Sequence, residues 1–383
     1  MKRMILRGTA ALCAMAAAMP AMADDTIKAP NDAADSAAMA AIAAGEPIVV
    51  EPTLMHPTAG LMNDHMHEGG EFMIGLRWQR DRFDGANQSG TGKISDEAIY
   101  DAGYAVKARS MTMDMVMLDL MYAPTQDITL MVMPMWMRHA MTMEGIDPMS
   151  GMDEMDMNSM AMEDMSTGHS MLGYGETMSH ATEGFADTLV SASYRLVRRP
   201  GLDAHATFGV WVPTGSVSKR GHSGNYVHYS MQPGSGTWDI EPALTVSFHD
   251  GAFGYGAQGS YKWRAEDRNA RGYQLGDLAK LSGWASYALS PRVGAVARLG
   301  WEHKGAIEGQ YESDFSVASP ADNPDNYGGD TVRLGLGFNA LLPFGGSPSP
   351  QIGVEFNVPL YQDLNGIQLP QDWRLSVALT RTF

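Results

Sequence analysis

From Glu71 to its end, the chain alternates apolar and polar residues in short runs. In the first run Phe72, Ile74 and Trp78 occupy alternate positions, and Arg77 and Gln79 fall between them. Successive side chains of a β-strand point to opposite faces, so this run predicts a strand with one apolar and one polar face. The same alternation recurs to the C-terminus and predicts an all-β protein.

Twelve segments carry this pattern, and many are nine to thirteen residues long, which suits a tilted strand that crosses a bilayer. They lie at residues 71–83, 107–122, 127–138, 188–197, 203–213, 237–248, 253–264, 278–289, 292–304, 331–342, 351–361 and 373–383. Two segments contain a proline, Pro134 or Pro242, which cannot donate to a strand ladder. We expect β-bulges at these two positions.

The connections between these segments alternate between short and long. The short ones lie at 123–126, 198–202, 249–252, 290–291 and 343–350, and the long ones at 84–106, 139–187, 214–236, 265–277, 305–330 and 362–372. Outer-membrane barrels keep short turns in the periplasm and long loops outside the cell. We therefore predict a transmembrane antiparallel β-barrel of about 12 strands over residues 71–383, located in the cell outer membrane.

The last segment gives an independent indication of the same fold. Its apolar residues share one face, and the chain ends on Phe383. This ending resembles the C-terminal signature by which the barrel-assembly machinery recognises its clients. The expected partners are therefore that machinery, through Phe383, and outer-membrane lipid.

The residues before the barrel divide into two parts. Three basic residues among the first seven precede an uncharged stretch that ends in Ala21-Met22-Ala23, which predicts a secretory signal peptide over residues 1–23. The following part, 24–70, contains the Ala-rich stretch 31–45 and few residues that could anchor a core. We expect it to be a flexible periplasmic N-terminal extension.

Composition and charge exclude several function classes. The formal net charge of −17 argues against nucleic acid as a partner, because phosphate backbones attract basic surfaces. The single cysteine, Cys13, lies in the predicted signal peptide, which leaves no disulfide, thiolate metal site or cysteine nucleophile afterwards. The chain lacks a Gly-x-Ser-x-Gly nucleophile motif, and a triad-like use of His205 with Ser191 or Ser193 has no supporting spacing. The protein is therefore not expected to be an enzyme.

Three short motifs resemble those of a known family. They are Gly184-Phe185-Ala186-Asp187, Pro213-Thr214-Gly215 and Gly234-Ser235-Gly236-Thr237-Trp238-Asp239. In order and spacing they are similar to the outer-membrane proteins named after the MetA pathway of phenol degradation, over about residues 62–383. The resemblance implies a barrel that carries small molecules across the outer membrane. The Met-rich insertion within the longest connection departs from the family pattern.

That insertion carries the strongest chemical signal of the sequence. Between His139 and His180 lie eleven Met, eight Asp or Glu and no Lys or Arg. Thioethers are soft ligands that favour Cu(I), and motifs of this kind resemble those of envelope copper-handling proteins. The candidate ligands are Met149, Met152, Met155, Met157, Met160, Met162, Met165 and His169. The alternative is a solvated acidic loop in which Met serves as a soft apolar residue.

Two further stretches bear on this choice. His65 and His67 would project to the same side of an extended chain and could hold one metal ion, or the segment could only fix the entry into the first strand. Met111, Met113, Met115 and Met117 alternate along a predicted strand and are expected to face lipid. Copper is thus the one candidate ion, and no cofactor is required.

Charged residues at the polar positions of the predicted strands are expected to line the pore. They are Arg77, Asp114, Arg195, Asp239, Glu241, Lys262, Arg264, Lys280, Arg298, Glu302, Lys304, Arg333 and Glu355. Charges of both signs inside a barrel can pair and narrow it, so this list does not decide between anions and cations. We predict an outer-membrane channel or transporter for small molecules or metal ions, with a link to copper handling. The alternatives are a structural or metal-sequestering barrel without transport and an uptake channel for aromatic compounds.

Overall fold

The computed structural model describes residues 52–57, 59–148, 172–221, 224–313, 317–344 and 348–383. Within them, twelve antiparallel barrel strands follow one another around a single sheet. The strands are β1 (Phe72–Asp84), β2 (Val106–Thr125), β3 (Ile128–Met133 and Met135–Gly145), β4 (Thr177–Phe185 and Thr188–Arg199), β5 (Leu202–Val212), β6 (Asp239–Asp250), β7 (Phe253–Arg264), β8 (Leu278–Ser290), β9 (Val293–Lys304), β10 (Gly329–Leu341), β11 (Gln351–Gln368) and β12 (Gln371–Thr382).

The sheet closes because β1 pairs with β2 on one side and with β12 on the other. Arg77 of β1 lies opposite Met117 of β2 and Ala378 of β12. At the end of this seam the Phe383 amide donates to the Phe72 carbonyl at 2.7 Å, and the Phe72 amide donates back at 3.1 Å. Closure gives the backbone N–H and C=O groups of the first and last strands hydrogen-bond partners, which lipid cannot supply. The prediction of a twelve-stranded antiparallel barrel is confirmed.

The two strand prolines are accommodated differently. Pro134 separates the two segments of β3, and its carbonyl still accepts the Leu118 amide of β2 at 3.1 Å. Pro242 stays inside β6, opposite Phe208 of β5. In the pairing of β6 with β7, the paired residues of β6 pass from Ile240 directly to Ala243, and the register is the same before and after this gap. The expected bulge at Pro242 is therefore absent.

Two predicted long connections are shorter than the sequence suggested. β3 continues to Gly145 and β4 begins at Thr177, so the ends of the predicted loop 139–187 are strand. β11 reaches Gln368, which reduces the predicted loop 362–372 to the two residues Leu369 and Pro370. These strand ends were not predicted because they lack a continuous apolar face. A strand that extends beyond the lipid-facing band does not need one. The described residues of the long connections, 85–105, 146–148, 172–176, 213–221, 224–238, 265–277, 305–313 and 317–328, lie at one end of the barrel.

The two faces of the wall differ as the alternation predicts. Phe208, Tyr255 and Leu299 are more than half exposed on the outer face, although they belong to the centre of their strands. Their sequence neighbours Thr207 and Arg298 are buried inside the barrel. An apolar band on the outer face, with polar side chains on the inner face, is what a barrel that spans a bilayer requires.

Short elements decorate the long-loop end. They are the helix α1 (Asp96–Asp101), the strand pairs Gln88–Gly90 with Gly92–Lys93 and Tyr273–Gln274 with Glu308–Gly309, and the 3₁₀ turns Tyr229–Met231, Pro320–Asp322 and Pro324–Asn326. The Ser95 hydroxyl caps α1 by accepting the Ala98 amide at 3.2 Å. Across the described residues, no helix is both long and apolar enough to cross a membrane.

The N-terminal segment corrects one prediction. Residues 52–57 and 59–70, which begin with the 3₁₀ turn Pro52–Met55, lie inside the barrel at its short-turn end. We call this segment the plug. The expected flexible extension over 24–70 does not hold for the plug, because inward polar side chains of the wall bind its carbonyl groups. Residues 24–51 of that prediction lie outside the described part of the chain.

The sidedness of the barrel can be tested with single cysteines. Tyr174, in a long connection, and Asp250, at a short turn, are both exposed. If the long connections face the medium, Tyr174→Cys should react in intact cells with a membrane-impermeant maleimide. Asp250→Cys should react only after the outer membrane is opened. Labelling of Asp250→Cys in intact cells, with Tyr174→Cys protected, would reverse the orientation.

Candidate functional site

The plug is held by side chains of the barrel wall that bind its backbone carbonyls. The Asn63 carbonyl accepts from His205 Nε2 at 2.9 Å, from Gln258 Nε2 at 3.1 Å and from the Thr245 hydroxyl at 3.3 Å. Gln258 also donates to the Met62 carbonyl at 3.0 Å. These donors come from β5, β6 and β7, so three strands converge on one turn of the plug. Each neutral hydrogen bond contributes about 1 kcal/mol to plug binding.

The first turn of the plug is fixed in the same way by further strands of the wall. Asn339 of β10 donates to the carbonyls of Leu54 and His56, at 3.1 and 2.5 Å. The Ser286 hydroxyl of β8 donates to the Met55 carbonyl at 2.9 Å. Leu54 is fully buried against the wall. The plug is therefore bound by several strands at the short-turn end of the lumen.

Ionisable groups hold the middle of the plug. Arg77 of β1 donates to the carbonyls of Ala59 and Leu61, at 3.2 and 2.8 Å, and forms an ion pair with Asp119 of β2. His65 Nδ1 lies 3.0 Å from a carboxylate oxygen of the buried Asp64. Burial disfavours a charge on His65, but the Asp64 carboxylate outweighs this effect and raises the pKa of His65.

The neighbouring histidine behaves differently. Burial, together with the adjacent His65, lowers the pKa of His67 to about 3. The amide of His67 donates to the Thr129 hydroxyl at 3.2 Å, and its carbonyl accepts from Arg195 at 3.4 Å. The rings of His65 and His67 lie 5.0 Å apart, centroid to centroid. The structure thus brings the two predicted ligands together, with His67 neutral.

A cavity of about 410 Å³ lies between the plug and the long-loop end. Its floor is the plug from Ala59 to Asn63. Its roof includes Tyr229 and Tyr327, which belong to a cluster with Tyr273 and Tyr311 from three long connections. The Tyr229 and Tyr311 rings stack at 4.6 Å, and burial raises the pKa of Tyr229 and of Tyr273 to about 12, which keeps both phenols neutral. The plug lies at one end of this cavity and the tyrosine cluster at the other.

The wall of this cavity has an apolar side and a basic side. The apolar side comes from β2, β3, β4 and β5 and consists of Met113, Met115, Met117, Met135, Met137, Leu189 and Trp211. The basic side comes mainly from β7 to β12 and consists of Lys262, Arg264, Lys280, Arg298, Lys304, Arg333 and Arg374. A solute in the cavity therefore meets thioether and aromatic groups on one side and cations on the other.

The arginines of the cavity are paired, whereas the lysines are not fully compensated. Five ion pairs join Arg77 to Asp119, Arg264 to Asp239, Arg298 to Glu355, Arg333 to Glu302 and Arg374 to Asp81. Lys262 and Lys280 share Glu241, at 4.0 and 3.9 Å, and Lys304 has no ion pair within the described residues. Lys262 also lies 3.2 Å above the centre of the Trp211 ring. Lys262 and Lys280 thus share one carboxylate, and the lining contains more lysine and arginine than acidic side chains.

The remaining acid of the lining, Asp187, organises the junction where β4 breaks. Its carboxylate accepts the Gly215 amide at 3.0 Å, the Ser235 amide at 2.8 Å and the Ser235 hydroxyl at 2.6 Å. A Cβ on Gly215 would lie 2.5 Å from the Gly234 backbone, so only glycine permits this approach. The Thr237 hydroxyl then donates to Asp239. The three short motifs singled out in the sequence thus form one network that holds the connection 213–238 against the lumen.

A comparison with known proteins bears on the resemblance that these three motifs indicated. A family model described as "Putative MetA-pathway of phenol degradation" matches residues 156–369, more than half of the chain. The chain belongs to this family. The resemblance inferred from the motifs is confirmed, and the Asp187 network gives it a structural basis. No curated protein matches the chain.

Solved structures show the fold of the family member described here. An outer-membrane channel from Pseudomonas putida F1 aligns with a TM-score of 0.53 and 14% identity, over 84% of this chain and 99% of that one. A toluene transporter from Pseudomonas putida aligns at 0.40 and 7%, over 87% and 98% of the two chains. A monoaromatic hydrocarbon channel aligns at 0.37 and 9%, over 88% and 99%. The first likeness shows an outer-membrane barrel fold, and the other two are too distant to bear on the solute.

Most of the predicted pore residues face the lumen of this family member. Arg77, Glu241, Lys262, Arg264, Lys280, Arg298, Glu302, Lys304 and Arg333 line the cavity, Asp239 and Glu355 pair with lining arginines, and Arg195 binds the plug. Asp114 is a correction. It forms a bidentate ion pair with Arg80, at 2.7 and 2.9 Å, on the outer face of β1 and β2. Asp114 points outward because its neighbours Met113 and Met115 point inward.

The methionines of β2 are a second correction. Met111 and Met117 are buried inside the barrel, and Met113 and Met115 line the cavity, so none of the four faces lipid. The outer positions of this strand include Thr112 and Asp114 as well as Val116 and Leu118, so its outer face is apolar along only part of its length. The metal ligands predicted in the Met-rich loop, Met149, Met152, Met155, Met157, Met160, Met162, Met165 and His169, lie outside the described residues.

Several functional residues were not among those predicted. Arg374 and Trp211 line the cavity, Asp119 holds Arg77, and the Asn63 carbonyl accepts from three side chains of the wall. Arg374 and Trp211 could have been found from the alternation of their strands. Asn63 could not, because its contribution is a backbone carbonyl, which no sequence pattern marks.

Weakening the plug should open the lumen. The double variant His205→Ala/Gln258→Ala removes at least two donors to the Asn63 carbonyl, which costs about 2 kcal/mol of plug binding and raises the open population about 30-fold. Single-channel recording in planar bilayers should show a higher open probability. The control is Phe208→Ala/Tyr255→Ala, which truncates lipid-facing residues of the same two strands. Equal open probability for both double variants would show that the plug does not control conduction.

Proposed function

We propose that this protein is an outer-membrane channel for small organic anions that carry an apolar, aromatic part. The observation that carries the proposal is the division of the lumen into a methionine and tryptophan side and a lysine side. An aromatic carboxylate or phenolate presents its ring to the first side and its charge to the second. The family description names phenol degradation, and anionic aromatic compounds belong to that chemistry.

The cationic side chains of the wall favour anions over neutral solutes of the same shape. Five arginines are paired with carboxylates, Lys262 and Lys280 share Glu241, and Lys304 has no ion pair within the described residues. Fixed charges that line a narrow passage select permeant ions of the opposite sign. A structural or metal-sequestering barrel, the alternative, would not require a wall rich in lysine and arginine around a central cavity.

Passage requires the plug to move. The plug is bound by side-chain donors such as Asn339 and Gln258 and does not contribute to the ladder of the barrel, so it can leave without opening the sheet. The tyrosine roof belongs to connections that pack through aromatic rings and covers the other end. We propose that the plug is the gate on the short-turn side.

The same contacts argue against a triad-like use of Ser191, Ser193 and His205. The Ser191 hydroxyl lies 3.2 Å from the Asn63 side-chain oxygen, Ser193 pairs with Thr207, and His205 binds the Asn63 carbonyl. Ser191 and His205 thus contact the plug, and Ser193 contacts a neighbouring strand of the wall. The export signal over residues 1–23, contact with the assembly machinery through Phe383 and the copper link of the Met-rich loop stay predictions.

The proposal is tested by comparing three solutes of similar size and different charge. Proteoliposomes that contain the protein should take up benzoate faster than phenol corrected for passive leak, and benzylammonium most slowly. Lys262→Met/Lys280→Met keeps the length of both side chains, removes two positive charges and should abolish the preference for benzoate. The matched control is Lys107→Met, whose lysine pairs with Asp96 away from the cavity.

Uptake that ranks benzylammonium first, or that is unchanged by the double lysine substitution, would contradict anion transport. Absence of flux for all three solutes in the plug-weakened variant described above would favour the structural alternative. Heat-modifiable migration in gels confirms that each variant is folded before its flux is compared.

A further inference from the structure

Inward-facing methionines form rows that cross the strands β1, β2 and β3. Met73 lies directly opposite Met121, and Met121 lies directly opposite Met131. Met117 and Met135 form the next row. Directly opposed side chains in a sheet have Cβ atoms about 4.5–5.5 Å apart, so their thioether sulfurs can converge on one point.

The first row encloses a cavity of about 10 Å³, which is room for one water-sized occupant. The plug closes it from the lumen side with Met62. Five thioethers, one imidazole and two carboxylates line it, together with the Arg77 guanidinium: Met62, Met73, Met121, Met131, Met133, His65, Asp64 and Asp119. Neither the plug nor the wall alone forms this cavity.

Two of the lining oxygens have no hydrogen-bond partner within the described residues. They are Oδ2 of Asp64 and Oδ1 of Asp119, both on side chains that are at least 96% buried. The other oxygens are used, by His65 and by Arg77. An unpartnered buried carboxylate oxygen is costly unless a cation or donor occupies the adjacent space.

The arrangement of Asp64 and His65 is that of a metal-binding histidine with its supporting carboxylate. Asp64 engages Nδ1 at 3.0 Å and leaves Nε2 as the available nitrogen. The carboxylates of Asp64 and Asp119 against the single charge of Arg77 leave one negative charge. A monovalent cation bound at Nε2 of His65 balances this charge, and the hydrogen bond between Nδ1 and Asp64 is kept.

We propose that this cavity is a Cu(I) site, built from the methionine row of the wall and His65 of the plug. Thioether and imidazole donors suit a soft monovalent ion. No group of three His, Cys, Asp or Glu side chains in the described parts of the chain is placed to hold a metal, which argues against a site for zinc or another harder ion. The site is independent of the transport of organic anions and of the Met-rich loop.

Methionine also fills cores without binding metal, and the chain provides a matched comparison. Met111 and Met141 are another directly opposed and buried pair of β2 and β3. They pack in a different cluster, with Val106 and Met231, and do not line the small cavity. A pair of leucines at either place keeps bulk and apolarity and removes two sulfurs.

The experiment uses the folded full-length protein in detergent, in a background where the seven methionines from Met149 to Met165 of the loop are leucine. Cu(I) is titrated under reducing, oxygen-free conditions against a chromophoric Cu(I) chelator. We expect each barrel to bind one Cu(I) ion tightly, and Zn²⁺ should not displace it. Met121→Leu/Met131→Leu should weaken it at least about tenfold, and Met111→Leu/Met141→Leu should leave it unchanged. Asp64→Asn should weaken it about 10–100-fold, because His65 loses its supporting carboxylate.

Absence of a tight equivalent, or equal affinities for the two double variants, would overturn the proposal. If Met121→Leu/Met131→Leu fails to fold, X-ray absorption of the copper-loaded background protein decides the matter. A copper shell of several sulfurs and one nitrogen supports the site, whereas a shell of nitrogen and oxygen only rejects it.

Discussion

Everything inside this barrel depends on how the wall satisfies the backbone of the plug. A segment without helix or strand ladders carries a carbonyl at every residue, and such groups cannot remain unpaired in a closed lumen. The wall supplies Asn339, Arg77, Gln258 and His205 as donors, each from an inward strand position. These contacts set where the plug sits, and the plug in turn forms the floor of the cavity and one side of the methionine pocket.

The division of the lumen follows from the order of the strands. β2 and β3 bring methionines to one side, and β7 to β12 bring lysines and arginines to the other. Ion pairs such as Arg298 with Glu355 hold the arginines, whereas Lys262 and Lys280 share one carboxylate and Lys304 has no ion pair within the described residues. One barrel can therefore combine an anion-selective passage with a separate soft site for a cation at its floor, because the two lie on different strands.

The sequence predicted the barrel because alternation, connection length and a terminal aromatic residue all depend on local chemistry. It placed Met113 and Met115 on the wrong face, since methionine is apolar and the rule of apolar residues facing lipid holds only where the interior is wet. Val116 and Leu118 alternate with these methionines along the strand, and they are the apolar residues that correctly indicate the lipid-facing side. The plug was not predictable in the same way, because it is held through main-chain carbonyls, such as that of Asn63, and through long-range partners.

The central claim is that the plug must leave the wall before the channel conducts. Met55 and Ser286 are suited to test it, because the Ser286 hydroxyl lies 2.9 Å from the Met55 carbonyl and 3.6 Å from its sulfur. The measurement is the conductance of Met55→Cys/Ser286→Cys in a planar bilayer, first oxidised and then reduced in the same membrane. The account predicts a closed channel while the disulfide tethers the plug and recovery of conductance on reduction. Full conductance of the oxidised form, with the disulfide verified by mass spectrometry, would contradict it.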